Sequence, residues 1–324
     1  MTFQEDVIAD LTGFALGSRF LFFPDDYRKG RGSREPADLA WYCRDIVVLM
    51  YMTETARGWQ CDAEHNMRQA QGWMRAWQDG RPLTGSNGAQ QFAVTNEDAL
   101  AKVILSISAD AALEVIADHS TQAVDGNIDL CATVSERLVR LLAKRGGGVS
   151  DLVALLVGWP QVKEQVPSLT DIQWFESFRS LSVDKAAREA EWRAPDVFSS
   201  DLDLATRYVR GIRAVPAQGK PDAASDVNAL FADFSFAEQF QLLFTIGRAA
   251  ELVRAGTPMV RLPFRIDRYR GSVVVVENSS LLPRVAQSTP DGDFEYLFEL
   301  QMGLTAVAMK GIRSPSRAWQ TLRK

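Results

Sequence analysis

The chain has 324 residues, a net charge of −5 and 46% hydrophobic side chains, which is enough apolar material for one large core or two ordinary ones. No run reaches the roughly 18 apolar residues that span a bilayer, and Glu5 and Asp6 stand where a signal peptide carries basic residues. The expectation is a soluble cytoplasmic protein with no membrane partner. Three cysteines without a CxxC pair, and only two histidines, His65 and His119, argue against zinc and leave little for Ser-His-Asp or Cys-His hydrolysis. The acidic balance argues against nucleic-acid binding by bulk attraction and leaves a local basic cleft open.

In chain order, Glu5 to Ser18 reads as a helix, with Val7, Leu11 and Phe14 at helical spacing and acidic residues in the first turn. The short apolar run Phe20–Phe23 ends at Pro24. Asp25–Arg34 reads as a polar loop carrying Arg28, Lys29, Arg31 and Arg34 with two glycines. Ala37–Cys43 and Ile46–Thr53 read as strands, and the two residues between them, Arg44 and Asp45, predict a tight hairpin, although the favoured glycine is missing. Asp62 to Gln78 returns to helical character, with Trp73 and Trp77 one turn apart and expected in the core rather than on a base-stacking surface. His65, between Glu64 and Asn66, is expected to be exposed and idle.

Beyond the turn-rich Gly80–Gly88, strands are expected at Gln91–Thr95, Val103–Ile107 and Ile128–Thr133. Thr133 or Ser135 can cap a helix through Leu138, Leu141 and Leu142, which Gly146–Gly148 breaks. A further helix from Ser150 or Asp151 should stop at Gly158 and Pro160. Residues 161–224 are more polar, with Trp174, Phe175, Phe178 and Trp192 as isolated anchors. A helix is expected over Phe231–Ala250, a hairpin over Arg261–Asn278 and a helix over Phe294–Met309, followed by a basic tail. This gives an α/β fold in two parts: a mixed-sheet α/β domain over 1–158 and a helix-rich domain with a small β-hairpin over 159–324.

The order helix, strand, basic loop, carboxylate-bearing hairpin, helix resembles the core of the PD-(D/E)XK, or restriction-endonuclease-like, superfamily over roughly residues 1–145. The residues that carry the resemblance are Glu5 on the first helix, Glu35 and Asp38 at the start of the hairpin, and Gln69, which is followed by the aromatic Trp73. The resemblance implies that Glu35, Asp38 and Gln69 hold catalytic positions, that Asp38 and Glu5 are ligands to Mg²⁺ if the protein is active, and that the protein works in DNA repair, restriction or phage defence. The lysine-bearing motif, however, is missing. If Arg44 and Asp45 form the turn, Asp38 stands opposite Tyr51, and the Asp/Glu-x-Lys pair falls on Tyr51-x-Thr53, which offers neither a carboxylate nor a lysine. Glu54 points to the other face. A second partial echo, Asp267 ahead of Val273–Val276 and Glu277, lacks the lysine too.

The expectation is a catalytically impaired, nuclease-like protein that contacts DNA or RNA through Arg28, Lys29, Arg31 and Arg34. The alternative is a non-catalytic interaction or scaffold protein with a protein partner. More ordinary roles stand beside each residue: Asp38 as a cap of backbone N–H groups, Glu35 as an ion-pair partner of Arg34 or Lys29, and the basic loop as a solvated turn balanced by Asp25 and Asp26.

Overall fold

The computed structural model of the protein describes residues 2–15, 17–30, 32–53, 57–119, 128–193, 212–215, 233–266, 269–277, 296–300, 305–310 and 317–323. The chain divides into two compact units, Met1–Phe178 together with Pro315–Lys324, and Arg179–Ser314. Among the described residues no helix is long and apolar enough to cross a membrane.

The first unit begins with helix α1 (Phe3–Phe14), whose first turn is closed by a capping box: the Thr2 hydroxyl accepts the Glu5 N–H and the Glu5 carboxylate accepts the Thr2 N–H. Strand β1 (Leu21–Pro24) follows, then a ribbon of β2 (Tyr27–Lys29) and β3 (Gly32–Arg34), then β4 (Leu39–Cys43) and β5 (Ile46–Tyr51). The β4–β5 hairpin has the register expected from the sequence, with Cys43 opposite Ile46 and Leu39 opposite Met50. Arg44 supplies the positive φ, 62°, that a tight hairpin turn needs at its first position.

Helix α2 (Trp59–Gln78) crosses one face of the sheet. Strands β6 (Leu83–Ser86), β7 (Gln91–Val94), β8 (Ala101–Ser108), β9 (Ala117–Asp118) and β10 (Leu130–Ser135) complete it. The order is β7-β6-β1-β4-β5-β8-β10-β9. Strands β5, β8 and β10 run parallel and are buried along their whole length, which is why they read as unbroken apolar runs; β1, β4, β6, β7 and β9 pair antiparallel. The α/β class and mixed sheet expected from the sequence are those of the structure.

Side chains alternate across this sheet. Phe22, Ala40, Val47, Leu49, Tyr51 and Ile104 face the same core as Ala70, Trp73, Met74 and Trp77 of α2. Both tryptophans are buried, as expected, and the Trp77 indole donates to the Val94 carbonyl at 3.1 Å. Helix α1 packs against α3 (Glu136–Lys144), which buries Val7, Leu11, Leu138 and Leu142. Arg140 joins the two helices through a 2.6 Å bond to Asp10, which Lys144 also approaches at 3.2 Å.

Helix α4 (Val149–Gln165) runs on through Gly158 and Pro160, where the sequence predicted a stop. Proline removes one intrahelical N–H donor, but Trp159 beside it is buried and holds the helix in its packing. Gly158 is a contact residue rather than a terminator: an added Cβ would lie 3.1 Å from the Trp174 ring. Helix α5 (Asp171–Arg193) buries Trp174 and Phe175.

In the second unit, β11 (Ile212–Val215), helix α6 (Phe236–Arg254), β12 (Met259–Ile266), β13 (Tyr269–Val276), β14 (Tyr296–Leu300) and β15 (Thr305–Lys310) follow. Here the sequence predicted a small hairpin and a late helix; the structure has an antiparallel five-stranded sheet in the order β11-β14-β15-β13-β12, against which α6 packs. Of the stretch Phe294–Met309, expected to be a helix, the described residues form the strands β14 and β15. The valine run of β13 provides the reason, since it offers a complete ladder in which Val273 meets Val307 and Val274 meets Ala306. Cross-strand packing then outweighs a weak local helical preference. The last helix, α7 (Arg317–Leu322), belongs to the first unit and packs on α4. Asp267 lies outside the described residues.

Gly85, on β6, tests this packing. A Cβ there would meet the Phe23 carbonyl and come within 2.6 Å of the Phe22 ring. Gly85→Ala is expected to lower stability by about 2 kcal/mol, read from denaturant midpoints, because the neighbouring strand backbone cannot yield as a flexible side chain would. Wild-type stability in this variant would contradict the β1–β6 pairing.

Candidate functional site

The stretch expected to be a basic loop is a short β-ribbon. Tyr27 pairs with Arg34, Arg28 with Ser33 and Lys29 with Gly32, and the chain turns at Gly30. Tyr27 roots the ribbon: its ring is buried 4.9 Å from the Trp73 ring, edge-on, and the Arg81 guanidinium lies 5.6 Å from it. The strand leaving the ribbon is fastened where Pro36 and Ala37 enter the core, because the buried Tyr51 hydroxyl donates to the Pro36 carbonyl at 2.6 Å. Helix α2 fastens it again, as the Gln69 side-chain amide donates to the Glu35 carbonyl at 3.2 Å.

These anchors leave an open surface cavity of about 570 Å³ lined by Asp26, Ser33, Arg34, Glu35, His65, Arg68 and Gln69. Three residues singled out in the sequence, Arg34, Glu35 and Gln69, therefore meet in one place. Arg28 is exposed on the adjoining ribbon, and among the described residues neither Arg28 nor Arg34 forms an ion pair. The ordinary pairing of Glu35 with Arg34 is not formed. Asp26 accepts from the Ser33 hydroxyl at 2.9 Å instead of facing an arginine. Lys29 takes part through its backbone in β2, and Arg31 and Glu54 lie outside the described residues.

Four lining residues carried no functional weight in the sequence: Asp26, Ser33, His65 and Arg68. A signal for two of them was present, since 65, 68 and 69 are spaced i, i+3 and i+4 and share a helix face. That face lies opposite the buried one formed by Ala63, Asn66, Ala70 and Trp73.

Asp38 is held nearby and differently. It stands one step before Leu39 in the β4–β5 register, opposite Tyr51, and its N–H donates to the Met50 carbonyl at 3.0 Å. One carboxylate oxygen accepts the Met52 N–H at 2.5 Å and the other accepts the Gln4 amide at 3.3 Å. Burial pushes the Asp38 carboxyl above its ordinary 3.8; the Met52 N–H opposes that rise, the charge of Glu35 adds to it and the Gln4 amide opposes it. The position of the missing lysine is also committed: the Thr53 hydroxyl donates to Asn66 at 2.7 Å, and buried Asn66 donates to the Ser106 hydroxyl at 2.8 Å.

Glu5 is engaged in its capping box. The residues present do not fit Mg²⁺: both Asp38 oxygens already accept a hydrogen bond, Tyr51 and Thr53 are bonded elsewhere and Glu5 closes its capping box, whereas a hard cation needs several oxygens directed at one point. Among the described residues no group of three or more His, Cys, Asp or Glu side chains is placed to hold a metal ion.

Two substitutions separate charge from hydrogen bonding at Asp38. Asp38→Ala leaves the Met52 N–H without its acceptor and should cost about 1–3 kcal/mol; Asp38→Asn keeps an acceptor and should cost less. The carboxyl is raised in the folded protein, so its contribution to stability is most favourable below 3.8 and is lost as pH rises through the raised value. Asp38→Asn should therefore compare best with wild type near neutral pH and worst near pH 4 (about). Denaturant titrations at the two pH values check this, and an opposite trend would mean that Asp38 is not a buried charge.

No family model matches the chain, and no curated protein or solved structure matches it. The functional reading rests on the chain's own residues.

Proposed function

We propose that this protein binds nucleic acid through the basic ribbon and the adjoining cavity and does not cleave it. The observation that carries this reading is the pair of exposed arginines, Arg28 and Arg34, which form no ion pair among the described residues and flank a cavity that also holds His65 and Arg68. An unpaired cation on a surface costs little, and here two unpaired arginines stand at one cavity, whose lining also carries the carboxylates of Asp26 and Glu35. Arginine and backbone N–H groups on an extended ribbon suit phosphate oxygens.

The element order also supports it. Helix α1, strand β1, the ribbon, the β4–β5 hairpin and helix α2 follow one another as in the nuclease-like core that the sequence resembles. The engagement of Asp38 supports the second half of the proposal, because its two oxygens hold the Met52 N–H and the Gln4 amide and its neighbours Tyr51 and Thr53 supply neither a second carboxylate nor a lysine.

Binding should be measured with a mixed-sequence DNA duplex, a single-stranded DNA and an RNA across a salt series. Wild type should bind at low salt and weaken as salt rises. The double variant Arg28→Glu, Arg34→Glu should lose about tenfold or more in affinity, with a log–log salt slope shallower by about 2. With Mg²⁺ or Mn²⁺, no cleavage is expected. Cleavage that vanishes in Asp38→Ala would overturn the non-catalytic half of the reading. Absence of binding to all three polymers would overturn the other half and leave the alternative of a surface for a protein partner.

A further inference from the structure

The cavity contains a group that phosphate binding does not explain. Of its polar side chains, Asp26 is occupied by Ser33 at 2.9 Å, Gln69 by the Glu35 carbonyl at 3.2 Å, and Arg68 by Glu64 at 3.9 Å. Arg34, Glu35 and His65 keep their polar ends uncommitted among the described residues. A free carboxylate in a cavity meant only for phosphates would repel them, and Glu35 sits close enough to Asp38 for its charge to act on that group as well. A carboxylate can only accept hydrogen bonds. In a nucleic acid the donors it can meet are the exocyclic amino groups of bases, the ring N–H groups of guanine, thymine and uracil, and the ribose 2′-hydroxyl; of these the cytosine 4-amino group is the usual partner of a carboxylate, while a neighbouring arginine serves phosphate or guanine.

Resting on the nucleic-acid reading above, we propose that Glu35 is a specificity-determining residue that accepts a hydrogen bond from the cytosine amino group, while Arg28 and Arg34 hold the backbone. Placement favours this division. Arg28 lies out on the ribbon beyond the cavity lining, whereas Glu35 is fixed at the cavity wall by the bond from Gln69 to its own backbone carbonyl. The backbone of Glu35 is thus anchored while its side chain is exposed, which suits a group that must hold one position against a base edge.

The test uses oligo-deoxycytidine and oligo-deoxyuridine of equal length at neutral pH: cytosine offers a 4-amino donor, whereas uracil has a carbonyl there and its remaining donor, the N3–H, lies at a different place on the base edge. Wild type should prefer the cytidine strand by about tenfold. Glu35→Gln, whose amide can donate to the uracil carbonyl, should abolish or invert that preference while leaving the salt slope unchanged. Arg28→Ala should weaken both strands alike and keep the preference. Equal binding of the two strands by wild type would overturn the inference while leaving the nucleic-acid reading intact. A preference that survives Glu35→Gln, or failure to bind either strand, would also overturn it, and the mixed-sequence duplex separately decides the reading on which it rests.

Discussion

The two-residue turn at Arg44 and Asp45 sets the register on which the rest of the sheet depends. With Cys43 opposite Ile46, alternation sends Val47, Leu49 and Tyr51 toward helix α2 and leaves Ile46, Val48 and Met50 for the opposite face. Strand β5 hands this register to β8, where Leu49 lies beside Ile104 and Tyr51 beside Ser106, and β8 hands it to β10. A slip of one residue would turn every one of these side chains to the wrong face. The positive φ of Arg44 is the local cost of a turn that short without a glycine, and it is offset by the packing of β4, buried except at Tyr42, and of the fully buried β5.

The same register explains why polar residues at the end of the hairpin serve structure. Asp38 falls opposite Tyr51 and meets the Met52 N–H, which lies past the end of the β5 ladder and would otherwise lack a partner. Tyr51 reaches back to the Pro36 carbonyl, and Thr53 begins a buried chain of hydrogen bonds through Asn66 to Ser106. Each group that could have been a ligand or a proton carrier closes a backbone or side-chain bond, because a buried polar group left unpaired would cost more than the chemistry it forgoes. The free groups lie one layer out, where Arg28, Arg34 and Glu35 reach solvent on and just after a ribbon rooted by Tyr27, and His65 on helix α2.

Electrostatics separates these layers. The chain is acidic as a whole, and among the described residues Arg140 is paired with Asp6, Asp10 and Glu136, and Arg323 with Asp129 at 3.1 Å. Arg28 and Arg34, like the exposed Arg75, Arg137 and Arg254, form no such pair among the described residues; what distinguishes them is their place on the ribbon and at the cavity. Exposed ion pairs contribute little to stability, so leaving these two unpaired costs the fold almost nothing and leaves them available to a ligand.

The sequence by itself determined the features set by near neighbours along the chain. The hairpin and its register were legible from two apolar runs around two residues, the α2 core face from Trp73 and Trp77 one turn apart, and the α/β class from buried strands between amphipathic helices. The absence of a carboxylate and a lysine at Tyr51 and Thr53 followed from the same count. Only the tertiary structure decided the rest. The basic stretch became a ribbon because Tyr27 found Trp73, residues 296–300 and 305–310 became strands because β13 offered a ladder, and α4 continued past Pro160 because Trp159 was held in the core. His65 and Arg68 joined Arg34 and Glu35 because α2 and the ribbon close on the same cavity. In each case the deciding partner lies far away in sequence, and local propensities of a few tenths of a kcal/mol (about) yield to the packing of a buried aromatic or a completed ladder.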